Sequence, residues 1–166
     1  MRILAVRAEE CGVRLVVPGE AAVIGFHDIY EIFSYDDLQE MTCGLGGPHQ
    51  VENACTAIEC AKILGLSHED IRYGVEHAKN PARLEKLSEN PTVLYDGAHN
   101  PEGTAALAKA VKKYVTKKRM IGVSGMMADK NVWEAVRKLD GVMEKVFTVA
   151  PDSPRAMSAA DLAAEW

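Results

Sequence analysis

The first 45 residues contain short apolar runs separated by turn-forming residues. The runs "RLVVPG", "AAVIGFH" and "YEIFSYDDLQEMTCGL" predict strands, with turns at Pro18-Gly19 and Asp36-Asp37. Strands this short do not complete a sheet by themselves, so we expect them to pair with strands later in the chain or in a segment outside it. Exposed strand edges also predict that residues 1–45 are the least stable part of the fold.

The period of the apolar positions changes after the glycine-rich segment "GLGGP". Apolar residues then recur at helical spacing in "HQVENACTAIECAKILG", which predicts a helix that ends at Gly65. Ser67, with Asp70 three residues later, predicts a capping box that opens a second helix. This second helix is expected to stop before Pro81, because the residue before a proline disfavours helical backbone.

From Pro91 onward, apolar runs alternate with amphipathic segments. The strands "TVLYD", "RMIGVSGM" and "KVFTVAP" are followed by the helices "PEGTAALAKAVKKYV", "NVWEAVRKLDGV" and "SAADLAAEW". Such an alternation predicts βαβ units with a parallel sheet, and therefore a Rossmann-like α/β domain. Asn100 as N-cap and Pro101 at the first helical position define the start of the first of these helices.

Composition and charge exclude several classes of function. The 19 basic and 24 acidic residues give a net charge of -5, so we expect no nucleic-acid partner. No apolar run approaches the roughly 18 residues of a membrane span, and the first residues lack the pattern of a signal peptide. We expect a cytoplasmic protein with no membrane partner, whose four cysteines are ordinary reduced thiols.

Polar and charged residues follow each predicted strand of the α/β region. Asp96, His99 and Asn100 follow the first strand, Asp129 and Lys130 the second, and Arg155 the third. In open parallel sheets the ligand crevice lies at this edge, so three such strand ends favour a site for an anionic ligand. The alternative is that Asp96 and Asn100 only cap a turn and that the other side chains are solvated.

Several motifs carry a resemblance to a known family. The segments "GGPHQVENACTAIECAKILG", "NPARLE", "VLYDGAHNPEGTAAL", "MMADKN" and "SPRAMSAADLA" resemble, in order and spacing, segments of the folylpolyglutamate synthase and dihydrofolate synthase family, which is related to the Mur ligases. The motif "DGAHNP" together with the upstream "HQ..N" is similar to the folate branch in particular, since Mur ligases typically have a tyrosine where Gly97 stands. The resemblance covers nearly the whole chain.

The resemblance implies an activity and a set of site residues. Family members use ATP and Mg²⁺ to convert a carboxyl group of folate or pteroate into an acyl phosphate, which the amine of L-glutamate attacks. By resemblance, Asn53 lies near the adenine, Arg83 contacts phosphate, Asp96 binds the ribose hydroxyls, and His99, the catalytic candidate, positions the glutamate or the acyl phosphate. These roles suit an amide, a guanidinium, a carboxylate and an imidazole.

The resemblance also implies a division of the chain. Residues 1–80 are expected to be the β-rich and helical tail of a central Mur-ligase-type ATPase domain. Residues 81–166 are expected to be a Rossmann-like, mostly parallel C-terminal domain, cut short at its end. Substrate binding by Lys130 and Arg155 is a further expectation, based on the strand-end pattern.

Two departures from the family pattern qualify this interpretation. The family usually has "WPGR" where this chain has "NPAR", so Asn80 and Ala82 replace an aromatic residue and a glycine. No glycine is followed by lysine, so the phosphate-binding loop that holds ATP and Mg²⁺ is absent. We therefore expect a fragment that is inactive alone. A non-catalytic nucleotide- or anion-binding module, or a Mur-type ligase for another amino acid, remain alternatives.

Overall fold

The computed structural model describes residues 2–116 and 119–166. In this part of the chain the elements are α1 (Arg2–Glu10), β1 (Ala22–His27), β2 (Tyr30–Tyr35), β3 (Leu38–Thr42), α2 (His49–Ile63), α3 (His68–Glu76), β4 (Glu85–Glu89), β5 (Thr92–Tyr95), α4 (Pro101–Tyr114), β6 (Ile121–Ser124), α5 (Val132–Lys138), β7 (Lys145–Thr148) and α6 (Ala159–Glu165). The described helices include none that is both long and apolar enough to cross a membrane.

The N-terminal strands pair with one another, which differs from the sequence prediction. β1, β2 and β3 form an antiparallel sheet in that order, with the predicted turn at Asp36-Asp37 between β2 and β3. The predicted strand "RLVVPG" is wrong, because this segment has no strand partner among residues 2–116 and 119–166 and its Leu15 and Val17 are exposed. The preceding helix α1, which the sequence analysis does not predict, buries none of its residues.

The first hydrophobic core lies between this sheet and the helices α2 and α3. Phe33 and Met41 from the sheet pack with Ile58 of α2 and with Ile71 and Val75 of α3. Both predicted helices are confirmed. Gly65, with φ at +76°, follows the C-terminus of α2, and the Ser67 hydroxyl accepts a hydrogen bond from the Asp70 backbone N–H at 3.1 Å.

The second half contains α/β structure with two separate two-stranded sheets. β6 and β7 are parallel and are connected through α5, as predicted. β5 instead pairs antiparallel with β4, a strand that the sequence analysis did not predict. The reason is composition: "EKLSE" has charged residues at three of its five positions and therefore carries almost no apolar alternation.

The two halves are joined by an ionic cluster around the buried Glu31 side chain, defined here as the junction cluster: Glu31, Lys113 and Tyr114. The Glu31 side chain on β2 is 0% exposed, and its Oε1 accepts hydrogen bonds from Lys113 Nζ at 2.6 Å and from the Tyr114 hydroxyl. The Phe26 ring packs on Tyr114 with centroids 5.3 Å apart. Burial and the Glu31 hydrogen bond raise the pKa of Tyr114, which keeps its hydroxyl a donor. The junction cluster thus holds α4 against the N-terminal sheet.

Candidate active site at the junction of the two halves

Asp96 ties together two loops that carry predicted site residues. Its Oδ2 accepts a hydrogen bond from the Leu84 backbone N–H at 2.7 Å, and its Oδ1 accepts one from Ala98 N–H at 2.8 Å. A third bond runs from Gly97 N–H to the Ala82 carbonyl at 2.8 Å. The segment "PARL" and the loop "DGAHN" are therefore held side by side. Arg83 lies between Ala82 and Leu84, the two residues of "PARL" that make these contacts.

Ala82 keeps the backbone conformation that glycine favours at this position of the family motif. Its φ is +59°, and Leu84, two residues later, has φ at +44°. The left-handed region costs a non-glycine residue roughly 1–2 kcal/mol. The sequence left open how closely the backbone approaches near Arg83. The hydrogen bond to Gly97 occurs despite the methyl group, so the exchange of glycine for alanine has a conformational cost but does not prevent this approach.

His99 lies at the exposed rim of the same loop. Its Nδ1 is 2.9 Å from the Gly97 carbonyl oxygen, which can only accept a hydrogen bond, so Nδ1 carries the proton. In the neutral imidazole, Nε2 then has a free lone pair that faces away from this contact. The next residue, Asn100, is the N-cap of α4 and accepts a hydrogen bond from Gly103 N–H at 2.8 Å, as predicted.

Asn53 stands on α2 at the end of a chain of polar side chains. The Asn53 Nδ2 donates to Gln50 Oε1 at 2.9 Å, and Gln50 Nε2 lies 3.0 Å from His49 Nε2. Burial lowers the pKa of His49. The negative charge of Asp96 raises this pKa, and the positive charge of Arg83 lowers it further. His49 therefore lies within electrostatic reach of the Asp96 and Arg83 loops. No role is predicted for His49 or Gln50, because nothing in the residue types of "HQVEN" indicates that the glutamine is buried between two polar neighbours.

Two cavities adjoin these residues. One of about 530 Å³ lies beneath the segment that connects α3 to β4 and is lined by Arg83, Lys79 and Lys86 among others. The other, of about 360 Å³, lies between α2 and α3, and its largely apolar wall includes Gln50 and Asn53. Both volumes are within the roughly 300–1,000 Å³ of small-molecule sites.

The glycines of "GLGGP" allow the connecting segment to run close to the first core. A Cβ on Gly44 would lie 2.7 Å from the Glu76 carbonyl oxygen, and a Cβ on Gly46 would lie 2.6 Å from the Leu84 carbonyl oxygen. No side chain fits against backbone at these distances. The absence of side chains on these glycines therefore determines the distance between the "PARL" segment and α2.

Lys130 and Arg155 lie on different loops from the residues above. The Arg155 guanidinium forms an ion pair with Asp129 at 3.0 Å, and the Arg155 carbonyl accepts a hydrogen bond from Ala128 N–H at 2.8 Å. Both side chains of the ion pair are exposed. The structure thus brings the ends of β6 and β7 together, but across residues 2–116 and 119–166 no hydrogen bond or ion pair links Lys130 or Arg155 to Asp96, His99 or Arg83.

Comparison with known proteins identifies the family. The family described as "Mur ligase, glutamate ligase domain" matches residues 82–166, slightly more than half of the chain. The chain belongs to the Mur ligase family. This match includes Arg83, Asp96 and His99, whose loops the hydrogen bonds of Asp96 hold together.

Relatives within the Mur ligase family confirm the resemblance to the folate branch. The chain is 34% identical over 134 residues to dihydrofolate synthase/folylpolyglutamate synthase of Bacillus subtilis (strain 168), covering 77% of this chain and 30% of the relative. Its structure resembles Mycobacterium tuberculosis folylpolyglutamate synthase complexed with ADP, with a TM-score of 0.88 and 25% identity over 99% of this chain and 39% of that chain.

A third comparison is with Escherichia coli FolC in complex with DHPP and ADP. The TM-score is 0.83 at 29% identity, covering 99% of this chain and 40% of that chain. The predicted α/β fold is confirmed by these likenesses. The chain spans about a third of the length of the curated relatives it matches.

Proposed function

We propose that this chain forms part of an ATP-dependent ligase that adds L-glutamate to dihydropteroate or to a folate through an acyl phosphate. The observation that carries the proposal is the Asp96 network, which holds Arg83 and His99 on neighbouring loops in a chain whose structural neighbours were solved with ADP. In this proposal residues 1–80 belong to the central ATPase domain and residues 81–166 to the glutamate ligase domain.

The proposed nucleotide contacts are compatible with the free hydrogen-bonding capacity of the side chains. A carboxylate has about four lone-pair positions, and Asp96 uses two on Leu84 and Ala98, so two remain for the ribose hydroxyls. The exposed guanidinium of Arg83 offers a fork of donors that matches phosphate oxygens. Asn53 would meet the adenine at the mouth of the smaller cavity, which offers apolar walls to a flat ring.

His99 would act at the amine of the incoming glutamate. In the reaction, the substrate carboxylate attacks the terminal phosphorus of ATP and ADP leaves; the glutamate amine then attacks the acyl carbon, and phosphate leaves as the amine loses a proton. The free Nε2 lone pair of neutral His99 can accept a hydrogen bond from that amine or take its proton. His99 would therefore be a catalytic residue that orients the nucleophile.

Lys130 and Arg155 would bind a carboxylate group of the substrate. For Arg155 this requires exchanging Asp129 for the substrate carboxylate. An exposed ion pair of this kind contributes only about 0–1 kcal/mol, so the exchange has a small cost.

Magnesium, which the resemblance implies, neutralises phosphate charge when it is bound. Within the residues that the structure describes, no group of three or more His, Cys, Asp or Glu side chains could hold a metal ion. We propose that these residues do not supply the metal's ligands and that Arg83 meets the phosphate charge from this side of the site.

Titration with ADP, followed by amide NMR of the 166-residue chain, tests the nucleotide site. We expect Arg83→Ala to weaken ADP binding about 10-fold, the value of one charge-assisted contact. Arg14→Ala is the matched control, because it removes another exposed arginine and should leave binding unchanged. Equal ADP affinity of the wild type and Arg83→Ala would remove the phosphate role of Arg83.

One sequence observation favours a second candidate function, a module that binds nucleotide without turnover: no glycine is followed by lysine. We expect the 166-residue chain to show no ATP hydrolysis or glutamate ligation above background. In a longer protein that contains this chain with a phosphate-binding loop, amide product from folate and glutamate would support the ligase. Binding without product would support the module, and product with a different amino acid would indicate another Mur-type ligase.

A further inference from the structure

Gln50 is almost fully buried, with 4% of its surface exposed, although its terminal amide carries both a hydrogen-bond donor and an acceptor. Burying an amide without hydrogen bonds is unfavourable, so the two polar contacts of Gln50 determine the orientation of its side-chain amide. They are the 3.0 Å contact of its Nε2 with His49 Nε2 and the 2.9 Å bond from Asn53 Nδ2 to its Oε1. Gln50 and Asn53 are three residues apart on α2 and therefore lie on the same face.

The order of donors and acceptors along this chain determines the orientation of the Asn53 amide. In this structure Gln50 Nε2 faces His49 Nε2 and can only donate, so His49 accepts as a neutral imidazole with its proton on Nδ1, an atom that is buried without a hydrogen-bond partner among the described residues. The burial that lowers the pKa of His49 favours this neutral form. With its nitrogen turned to His49, Gln50 presents Oε1 to Asn53, and Asn53 must donate through Nδ2. The Asn53 oxygen and its second N–H are then free.

We propose that Gln50 is a positioning residue that orients the Asn53 amide so that it presents an acceptor and a donor matched to the amino edge of adenine. An adenine offers its 6-amino group as donor and its N7 as acceptor, which is the complement of a fixed asparagine amide. Hypoxanthine carries an oxygen in place of the 6-amino group and leaves the fixed Asn53 oxygen without a donor. This inference rests on the proposed function for the assignment of Asn53 to the base.

Matched variants separate positioning from packing. Gln50→Met keeps the length of the side chain and removes the amide oxygen and nitrogen. The side-chain amide of Asn53 can then rotate. Gln50→Glu keeps an acceptor for Asn53, because a carboxylate accepts from Nδ2, and His49 can donate to the carboxylate through its other tautomer. Gln50→Glu should therefore rescue what Gln50→Met loses.

The first measurement needs no ligand. We expect the Asn53 side-chain amide proton that is bonded to Gln50 to exchange more slowly with solvent in the wild type and in Gln50→Glu than in Gln50→Met, as measured by NMR of the 166-residue chain. Unchanged Asn53 amide signals and exchange in Gln50→Met would overturn the positioning role, whatever the nucleotide results are.

The second measurement compares ADP with IDP, which share ribose and phosphates and differ in the base at position 6. We expect the wild type to prefer ADP about 10-fold, the value of one hydrogen bond gained and one unpaired acceptor avoided. This preference should fall to about twofold or less in Gln50→Met and in Asn53→Ala, and should return in Gln50→Glu. A purely structural effect of Gln50→Met would weaken both ligands equally and would overturn the inference.

The outcomes distinguish this inference from the proposed function. If Asn53→Ala loses the ADP preference and Gln50→Met keeps it, the proposed base contact stands and the role of Gln50 is wrong. If the wild type itself binds ADP and IDP equally, the assignment of Asn53 to the base is wrong, and with it the specificity that we infer for Gln50. If ADP binding is not detected even in a longer protein that contains this chain with a phosphate-binding loop, the proposed function is contradicted at its nucleotide site.

Discussion

Replacing Lys113 by methionine should destabilise the chain strongly, because it removes the cation from the junction cluster. Glu31 is 0% exposed and has Lys113 Nζ at 2.6 Å, while its second oxygen, Oε2, is buried without a hydrogen-bond partner among the described residues. Methionine keeps most of the aliphatic length of the side chain, whereas the ammonium that lies 5.0 Å from the centroid of the Phe26 ring is lost. The change therefore isolates the loss of the charge.

The magnitude follows from the burial of the two partners. Removing one partner of a buried ion pair typically costs about 3–5 kcal/mol, because the other charge stays buried and uncompensated. The side chain of Lys113 is 34% exposed, so solvent already screens part of the pair, and we expect the lower end, about 3 kcal/mol. At about 2–4 °C per kcal/mol for a chain of this size, the melting temperature should fall by about 6–12 °C.

A double-mutant cycle measured by urea unfolding tests this account. Glu31→Gln removes the charge but keeps an oxygen that accepts from the Tyr114 hydroxyl, so we expect a loss of about 1 kcal/mol. The double variant should be about 1 kcal/mol less stable than the wild type, which gives a coupling of about 3 kcal/mol. Lys112→Met is the control; Lys112 is exposed on the same helix and should change the unfolding free energy by less than about 0.5 kcal/mol.

Two results would refute the reasoning. If Lys113→Met unfolds within about 0.5 kcal/mol of the wild type, the buried carboxylate is compensated by something other than Lys113. If the two single changes add without coupling, the contact does not stabilise the junction between the sheet and α4.

Three further predictions concern the site loops. Ala82→Gly should raise the free energy of unfolding by about 0.5–1 kcal/mol in thermal melts, because it relieves a φ of +59°, whereas Ala98→Gly should not raise it; a loss in both would contradict the strain at Ala82. The folded-state pKa of His49 is lowered, so the unfolded state binds more protons than the folded state as the pH falls below about 6.5. The free energy of unfolding should therefore fall below this pH, and it should fall less in His49→Gln. Parallel pH profiles of the unfolding free energy in the two proteins would contradict this. In a longer protein that contains this chain with a phosphate-binding loop, His99→Ala should lower kcat/KM for glutamate about 10²-fold; a near wild-type value would leave His99 as a solvated turn residue.

Local signals in the sequence identified most of the helices correctly. Ser67, Gly65 and Asn100 occupy the cap positions predicted for them, because capping depends on hydrogen bonds within four residues. The strand β4 and the helix α1 were missed for the opposite reason. β4 is stabilised by its partner β5 rather than by its own apolar pattern, and α1 buries none of its residues.

The same distinction between local signals and long-range contacts applies to the candidate site. Arg83, Asp96 and His99 could be proposed from motif and spacing, since they stand in short segments that resemble the family. That Asp96 bonds to Leu84, twelve residues away, and that Gln50 is buried between His49 and Asn53 could not be proposed. These contacts depend on where the backbone of one loop meets another, which residue type does not encode.

The amino-acid sequence by itself determined the α/β character of the second half, the helix starts at Ser67 and Asn100, and the family motifs, because these depend on periodicity and on neighbours along the chain. Only the tertiary structure decided that the N-terminal strands pair with one another, that β5 runs antiparallel to β4, and that the junction cluster fixes α4 on the N-terminal sheet. Lys113 and Glu31 are 82 positions apart, and each in isolation is an ordinary charged residue. The physical reason is that pairing and burial depend on free energies summed over distant segments, which local sequence patterns do not contain.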